Sequence, residues 1–156
     1  MTEELAATVH SEFARETIEE HHRLAVARSR LRKILEGCIQ QPGEMNRAAL
    51  LHAFREFRER LLEHMEIEEE DGFMLPLLEV RPDLHTRIEE LLREHNRLRM
   101  EMDQTVAILD RHTEFSSPIM DIVLRIADML DVIEAHERTE NALVLETFCQ
   151  DVGSKD

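Results

Sequence analysis

Only four glycines and four prolines interrupt the 156 residues of this chain, and they are gathered rather than spread. Apart from Gly153 they fall at "EGCIQQPGE" (36–44), "RPD" (81–83) and "TEFSSP" (113–118), with Gly72 and Pro76 marking a bend or early end inside the second of the segments between. Four long stretches remain, about 11–38, 46–79, 84–111 and 118–149. None of them alternates apolar and polar residues as a strand does. Ser117 and Pro118 suit the cap and first turn of the last stretch. The sequence therefore predicts an all-α fold, an antiparallel up-down-up-down four-helix bundle, with one domain over 1–156 and short termini outside a bundle of about 11–149.

The apolar stripes of these helices carry histidines. In the second stretch Leu50, Phe54, Phe57 and Leu61 stand 14, 10, 7 and 3 residues before His64, and Leu75 and Leu78 would continue the same face. In the fourth, Ile122, Ile126, Met129 and Ile133 occupy those same offsets before His136, with Leu143 beyond it. A glutamate follows each histidine by four residues, Glu68 and Glu140, so each helix sets one imidazole and one carboxylate on its inner face, one turn apart.

The first and third stretches also match each other. "EHHRL" (20–24) aligns with "EHNRL" (94–98), pairing His21 with His95 at an offset of 74, close to the 72 that separates His64 from His136. The chain thus reads as two similar helical hairpins. Ile18, Leu24, Leu31 and Leu35 share a face with His21, and Ile88, Leu92, Leu98, Met102 and Leu109 share one with His95. His22 lies about 100° round from that face, opposite Asn96 in the second copy. Glu19-x-x-His22 has the spacing of a ferritin-like ligand pair, but Leu92 and Ile133 stand where the copies before His95 and His136 would need an acid.

Counting at about 1.5 Å per residue from each turn puts all four histidines at one level of the bundle. His21, His64, Glu68, His95, His136 and Glu140 then point into one volume. Buried without partners, these groups would cost several kcal/mol for each charge, whereas two cations neutralise the carboxylates and engage the imidazoles. Imidazole and carboxylate without thiolate suit iron, manganese or zinc, and bridging glutamates would hold two ions about 3.5–4 Å apart. Iron is the expected metal, with a coordination position open to a small ligand.

Composition narrows the partners. Acidic residues outnumber basic ones by 34 to 19, a field that repels nucleic acid and anionic membrane. No apolar run approaches a spanning length, "MTEELAATVH" has no signal-peptide pattern, and Cys38 and Cys149 form no CxxC, so a cytoplasmic protein with reduced thiols is expected. The lack of tyrosine and tryptophan argues against radical storage on such an aromatic.

His21, His64-x-x-x-Glu68, His95 and His136-x-x-x-Glu140, with Leu75-Pro76 after the second helix's motif, resemble the hemerythrin-like (HHE cation-binding) family over roughly residues 12–148. The resemblance implies a non-haem di-iron centre with bridging carboxylates and an oxo or hydroxo bridge, binding or sensing dioxygen or nitric oxide. It also leaves open an iron donor for cluster repair, or an enzyme acting on peroxide or nitric oxide; a metal-free or zinc-bound helical interaction module is the bland alternative. Oxygen carriers of the family have a fifth histidine four residues after the third-helix histidine, where this chain has Arg99, and their fourth-helix acid comes five residues after its histidine rather than four. The four-histidine, two-glutamate set is instead similar to the repair and nitric-oxide-linked members.

The other candidates have plainer readings. His10, His22, His52, His85 and His112 are expected at the surface, Glu66, Glu69 and Glu70 on a solvated acidic face, and Met102 and Met129 in core gaps. Asp71 is a candidate partner of a ligand, and Glu20 and Glu94 are candidates for pairing with Arg23 and Arg97.

Overall fold

The computed structural model describes residues 3–41, 47–111 and 119–148. The expected cap at Ser117 and Pro118, together with His112 and Cys149, lies outside them, as do the side chains of His10 and Asp71. The elements run α1 (Glu3–Gln40), α2 (Arg47–Ile67), a π-helical turn (Glu68–Gly72), α3 (Met74–Val80), a 3-10 turn (Pro82–Leu84), α4 (His85–Arg111) and α5 (Ile119–Phe148). Helix α1 starts at Glu3 rather than near residue 11, since nothing in "EELAATVH" breaks a helix.

The four long helices form the expected antiparallel bundle. Helix α1 packs against α2 and α5, and α4 packs against the same two, so α1 faces α4 across one diagonal and α2 faces α5 across the other. The apolar stripes meet inside: Leu24, Leu31, Leu50, Phe54, Phe57, Leu61, Leu98, Met102, Ile126, Met129 and Ile133 belong to one buried cluster. Truncating Phe54, which is fully buried, would cost about 3–5 kcal/mol.

The second stretch is where the helix pattern fails. It was expected to continue through Leu75 and Leu78, but the backbone widens into a π turn at Glu68, and Phe73 leaves the helical region at φ −142° and ψ −58°. One residue inserted into the helical repeat rotates everything after it, so Leu75 is exposed and Met74 and Leu77 face the core in its place. Phe73, Met74 and Leu77 join Ala14, Leu84, Ile88, Leu91, Leu143 and Val144 in a second apolar cluster. Along α1, α4 and α5, and along α2 with the π turn and α3 that follow it, the four histidines and two glutamates fall between the bulk of the first cluster and the residues of the second. They form a polar layer sealed by apolar matter on both sides.

Candidate metal centre

All six side chains singled out in the sequence meet in that layer. His21, His64, Glu68, His95, His136 and Glu140 are each at most 6% exposed. Helix α1 supplies His21, the last turn of α2 supplies His64, and the start of the π turn supplies Glu68; α4 supplies His95, and α5 supplies His136 and Glu140. The rings pair within each hairpin, His21 with His64 at 5.0 Å between centroids and His95 with His136 at 4.7 Å. Donor atoms of Glu68, His95, His136 and Glu140 lie within 4.8 Å of one another, and those of His21, His64 and Glu68 do so as well. Glu68 belongs to both groups. Glu140 belongs to the first and sits 3.9 Å from His21 Nε2.

The electrostatics of this layer make sense only around positive charge. His95 Nδ1 donates to Glu69 Oε1 at 3.1 Å, His136 Nδ1 to Glu94 Oε2 at 2.5 Å, and His21 Nδ1 to Asn141 Oδ1 at 2.6 Å. A proton held at Nδ1 leaves a lone pair at Nε2 in each neutral ring. Those lone pairs face other acceptors: His95 Nε2 meets His136 Nε2 at 2.9 Å, His21 Nε2 meets Glu68 Oε1 at 3.1 Å, and His136 Nε2 meets Glu140 Oε1 at 2.6 Å. His64 Nε2 closes on Glu68 Oε1 in the same way. Glu68 Oε2, Glu140 Oε2 and both ring nitrogens of His64 are buried without a hydrogen bond. Acceptors converging on acceptors in a dry layer repel one another, and a cation between them removes the repulsion. The donor set therefore fits a metal site.

Protonation tells the same story. Burial, followed by the adjoining Glu68 carboxylate, pushes the Glu140 carboxyl well above the usual range. Burial also acts upward on Glu68, but its neighbours Glu140, His21 and His64 outweigh it and hold Glu68 well below. Burial depresses the pKa of His95, while for His64 the Glu68 carboxylate outweighs burial and raises it.

A further ring of polar groups, outside the sequence-expected set, holds the six in place. Glu69 was read as part of a solvated face; it is half-buried, accepting from His95 and gripped in two-pronged fashion by Arg99 at 2.8 and 2.6 Å. Burial would raise the Glu69 carboxyl, but Arg99 and His95 outweigh it and hold it below its ordinary value. Glu94 pairs with His136 rather than Arg97. Glu20 does pair with Arg23, at 3.0 Å, and also stands 3.6 Å from His64 Nδ1. The repeat carried the signal for these residues, since Glu20 and Glu94 precede the aligned histidines, and Glu69 and Asn141 follow the aligned glutamates. Arg28 and Glu137, a buried ion pair at 2.5 Å between α1 and α5, left no such trace. His22, His52, His85, Glu66 and Glu70 are exposed, and Met102 and Met129 are in the core, as expected.

The family model described as Hemerythrin HHE cation binding domain matches residues 14–148. No curated protein and no solved structure matches the chain.

Proposed function

The chain belongs to the hemerythrin HHE cation-binding domain family, and on that premise we propose that it is a non-haem di-iron protein that binds or senses a small diatomic ligand, dioxygen or nitric oxide. His21, His64, Glu68, His95, His136 and Glu140 would hold the two ions, with Glu68 shared between them. The observation that carries this reading is the meeting of His95 Nε2 and His136 Nε2 at 2.9 Å while both Nδ1 atoms are committed to carboxylates. When bound, iron supplies a redox-active cation with a coordination position left for a small ligand.

The chain's own groups do the rest. Asn141, Glu69 and Glu94 fix the ring tautomers and keep Nε2 free of a proton. The two apolar clusters close the layer on both sides along the bundle, which strengthens charge interactions there. Glu140 would face a bound cation as a carboxylate. Arg99 fills the place of the oxygen carriers' fifth histidine and holds Glu69 instead, which favours sensing or turnover over reversible carriage. Among the described residues no helix is long and apolar enough to cross a membrane. A cytoplasmic location forms part of this proposal.

Metal content of protein expressed in iron-replete cells tests the reading. His21→Ala should lose much of its iron and His22→Ala almost none, because His22 is on the exposed face of α1. Iron-free wild-type protein would overturn the di-iron reading, and a larger loss in the His22 variant would overturn the ligand assignment.

A further inference from the structure

A cavity of about 480 Å³ opens between α1 and the junction of α2 with the π turn. Its inner wall is His64, Glu68 and Phe73, and its charged lining is Glu16, Glu19 and Glu20 with Arg15 and Arg23. An adjoining cleft of about 430 Å³ also reaches His64 past Glu20 and Glu63. Glu16, Glu19 and Glu20 have the i, i+3, i+4 spacing that gathers side chains on one helical face. Arg15 is tied to Glu12 at 3.8 Å and Arg23 to Glu20 at 3.0 Å, while Glu16 and Glu19 have no ion-pair partner among the described residues. At the inner end wait buried groups without hydrogen bonds, Glu68 Oε2 and the two ring nitrogens of His64.

We propose that this cavity is the path by which a divalent metal cation reaches and leaves the centre, with Glu16, Glu19 and Glu20 as successive carboxylate stations and His64 and Glu68 as the receiving pair. The proposal rests on the metal-centre reading above. A neutral diatomic gas gains nothing from a carboxylate-lined mouth, whereas a hydrated divalent cation is drawn in by one and can exchange its waters for carboxylate oxygens in steps. The path also accounts for Glu19. Its spacing to His22 suggested a ferritin-like ligand pair, but His22 is exposed and Glu19 lines the approach. The position served by His21, His64 and Glu68 therefore fills and empties through this face.

The test is stopped-flow uptake of ferrous ion, without oxygen, by the metal-stripped full-length chain. The variants are E16Q/E19Q and, as a control of equal charge change, D121N/D128N in the α4–α5 groove. The expected result for E16Q/E19Q is an unchanged final stoichiometry of iron with uptake slowed about tenfold at low salt. The gap should close near 1 M salt, where the screening length is about 3 Å. Equal rates for the two variants would overturn the path, because the slowing would then reflect only the overall field. A lowered final stoichiometry in E16Q/E19Q would overturn it too, by making these residues ligands rather than stations. Wild-type protein that takes up no iron would overturn the metal centre itself, a failure distinct from the other two.

Discussion

The two hairpins bring equivalent ligands to the centre and support them differently. Helices α1 and α2 with the π turn contribute His21, His64 and Glu68, and α4 and α5 contribute His95, His136 and Glu140 at the repeat offsets. Under the same offsets Glu69, which holds His95, corresponds to Asn141, which holds His21, and Arg99 corresponds to Ala25. One ring is therefore anchored by a carboxylate locked in an Arg fork, the other by a neutral amide. The buried Arg28–Glu137 pair corresponds to Met102 and Met65, both fully buried. After Glu68 the backbone widens into the π turn; after Glu140 α5 continues unbroken. The cavity opens beside His64, on the first hairpin. Near-identical spacing thus yields two unequal halves of the site, one firmly backed and one approachable.

The largest effect should come from the ion pair that one half has and the other replaces with methionines. Arg28 and Glu137 are 11% and 7% exposed, so removing one partner strands a largely desolvated charge between α1 and α5. Glu137→Met is expected to cost about 3–5 kcal/mol of stability in the metal-free protein. Arg28→Met with Glu137→Met copies the Met102 and Met65 arrangement and should return to wild-type stability or exceed it by about 1–4 kcal/mol. Denaturant midpoints of the two variants measure this. A double variant no more stable than the single one would break the equivalence of the two interfaces.

A smaller effect should follow from cutting the clamp that has no counterpart in the first hairpin. Arg99→Ala frees Glu69, and His95 loses the fixed acceptor that sets its orientation. Metal affinity, read by chelator competition, should fall about tenfold. The fold itself should lose less than about 1 kcal/mol, because Arg99 and Glu69 are 29% and 25% exposed and screened by solvent. Arg99→Lys should recover only part of the affinity, since an ammonium cannot reproduce the two-pronged grip. Unchanged affinity in Arg99→Ala would show that an amide and a clamped carboxylate anchor these rings equally well.

Much of this was legible because the repeat supplies an internal control. The bundle follows from where glycine and proline fall, and the six central side chains follow from asking which polar residues interrupt the apolar stripes. What escaped is what periodicity does not encode. In "HMEIEEEDG" (64–72) four glutamates crowd together, and composition cannot tell which turns inward. Only the aligned Asn141 hints at Glu69. Gly72 and Pro76 mark the bend, but nothing in the sequence announces the residue that the π turn adds to the helical repeat, so a stripe drawn through Leu75 falls on the wrong face. Arg28 and Glu137 lie a hundred residues apart on different helices, and each alone looks like an ordinary surface charge.

The smallest effect separates Glu94 from Glu20, which occupy aligned positions. Glu94 Oε2 accepts from His136 Nδ1 at 2.5 Å and fixes the orientation of that ring. Glu20 Oε1 stands 3.6 Å from His64 Nδ1, outside hydrogen-bond range, and its other oxygen is engaged by Arg23. Glu94→Gln replaces a charge-assisted bond with a neutral one and should weaken metal binding by about threefold to tenfold. Glu20→Gln should change affinity by less than about twofold, because no hydrogen bond to the ring is lost. Chelator competition on both variants decides between them. If the two glutamates weaken binding equally, the halves are alike in how they hold α2 and α5 histidines, and the inequality of the positions must come from Glu69, Arg99 and the cavity alone.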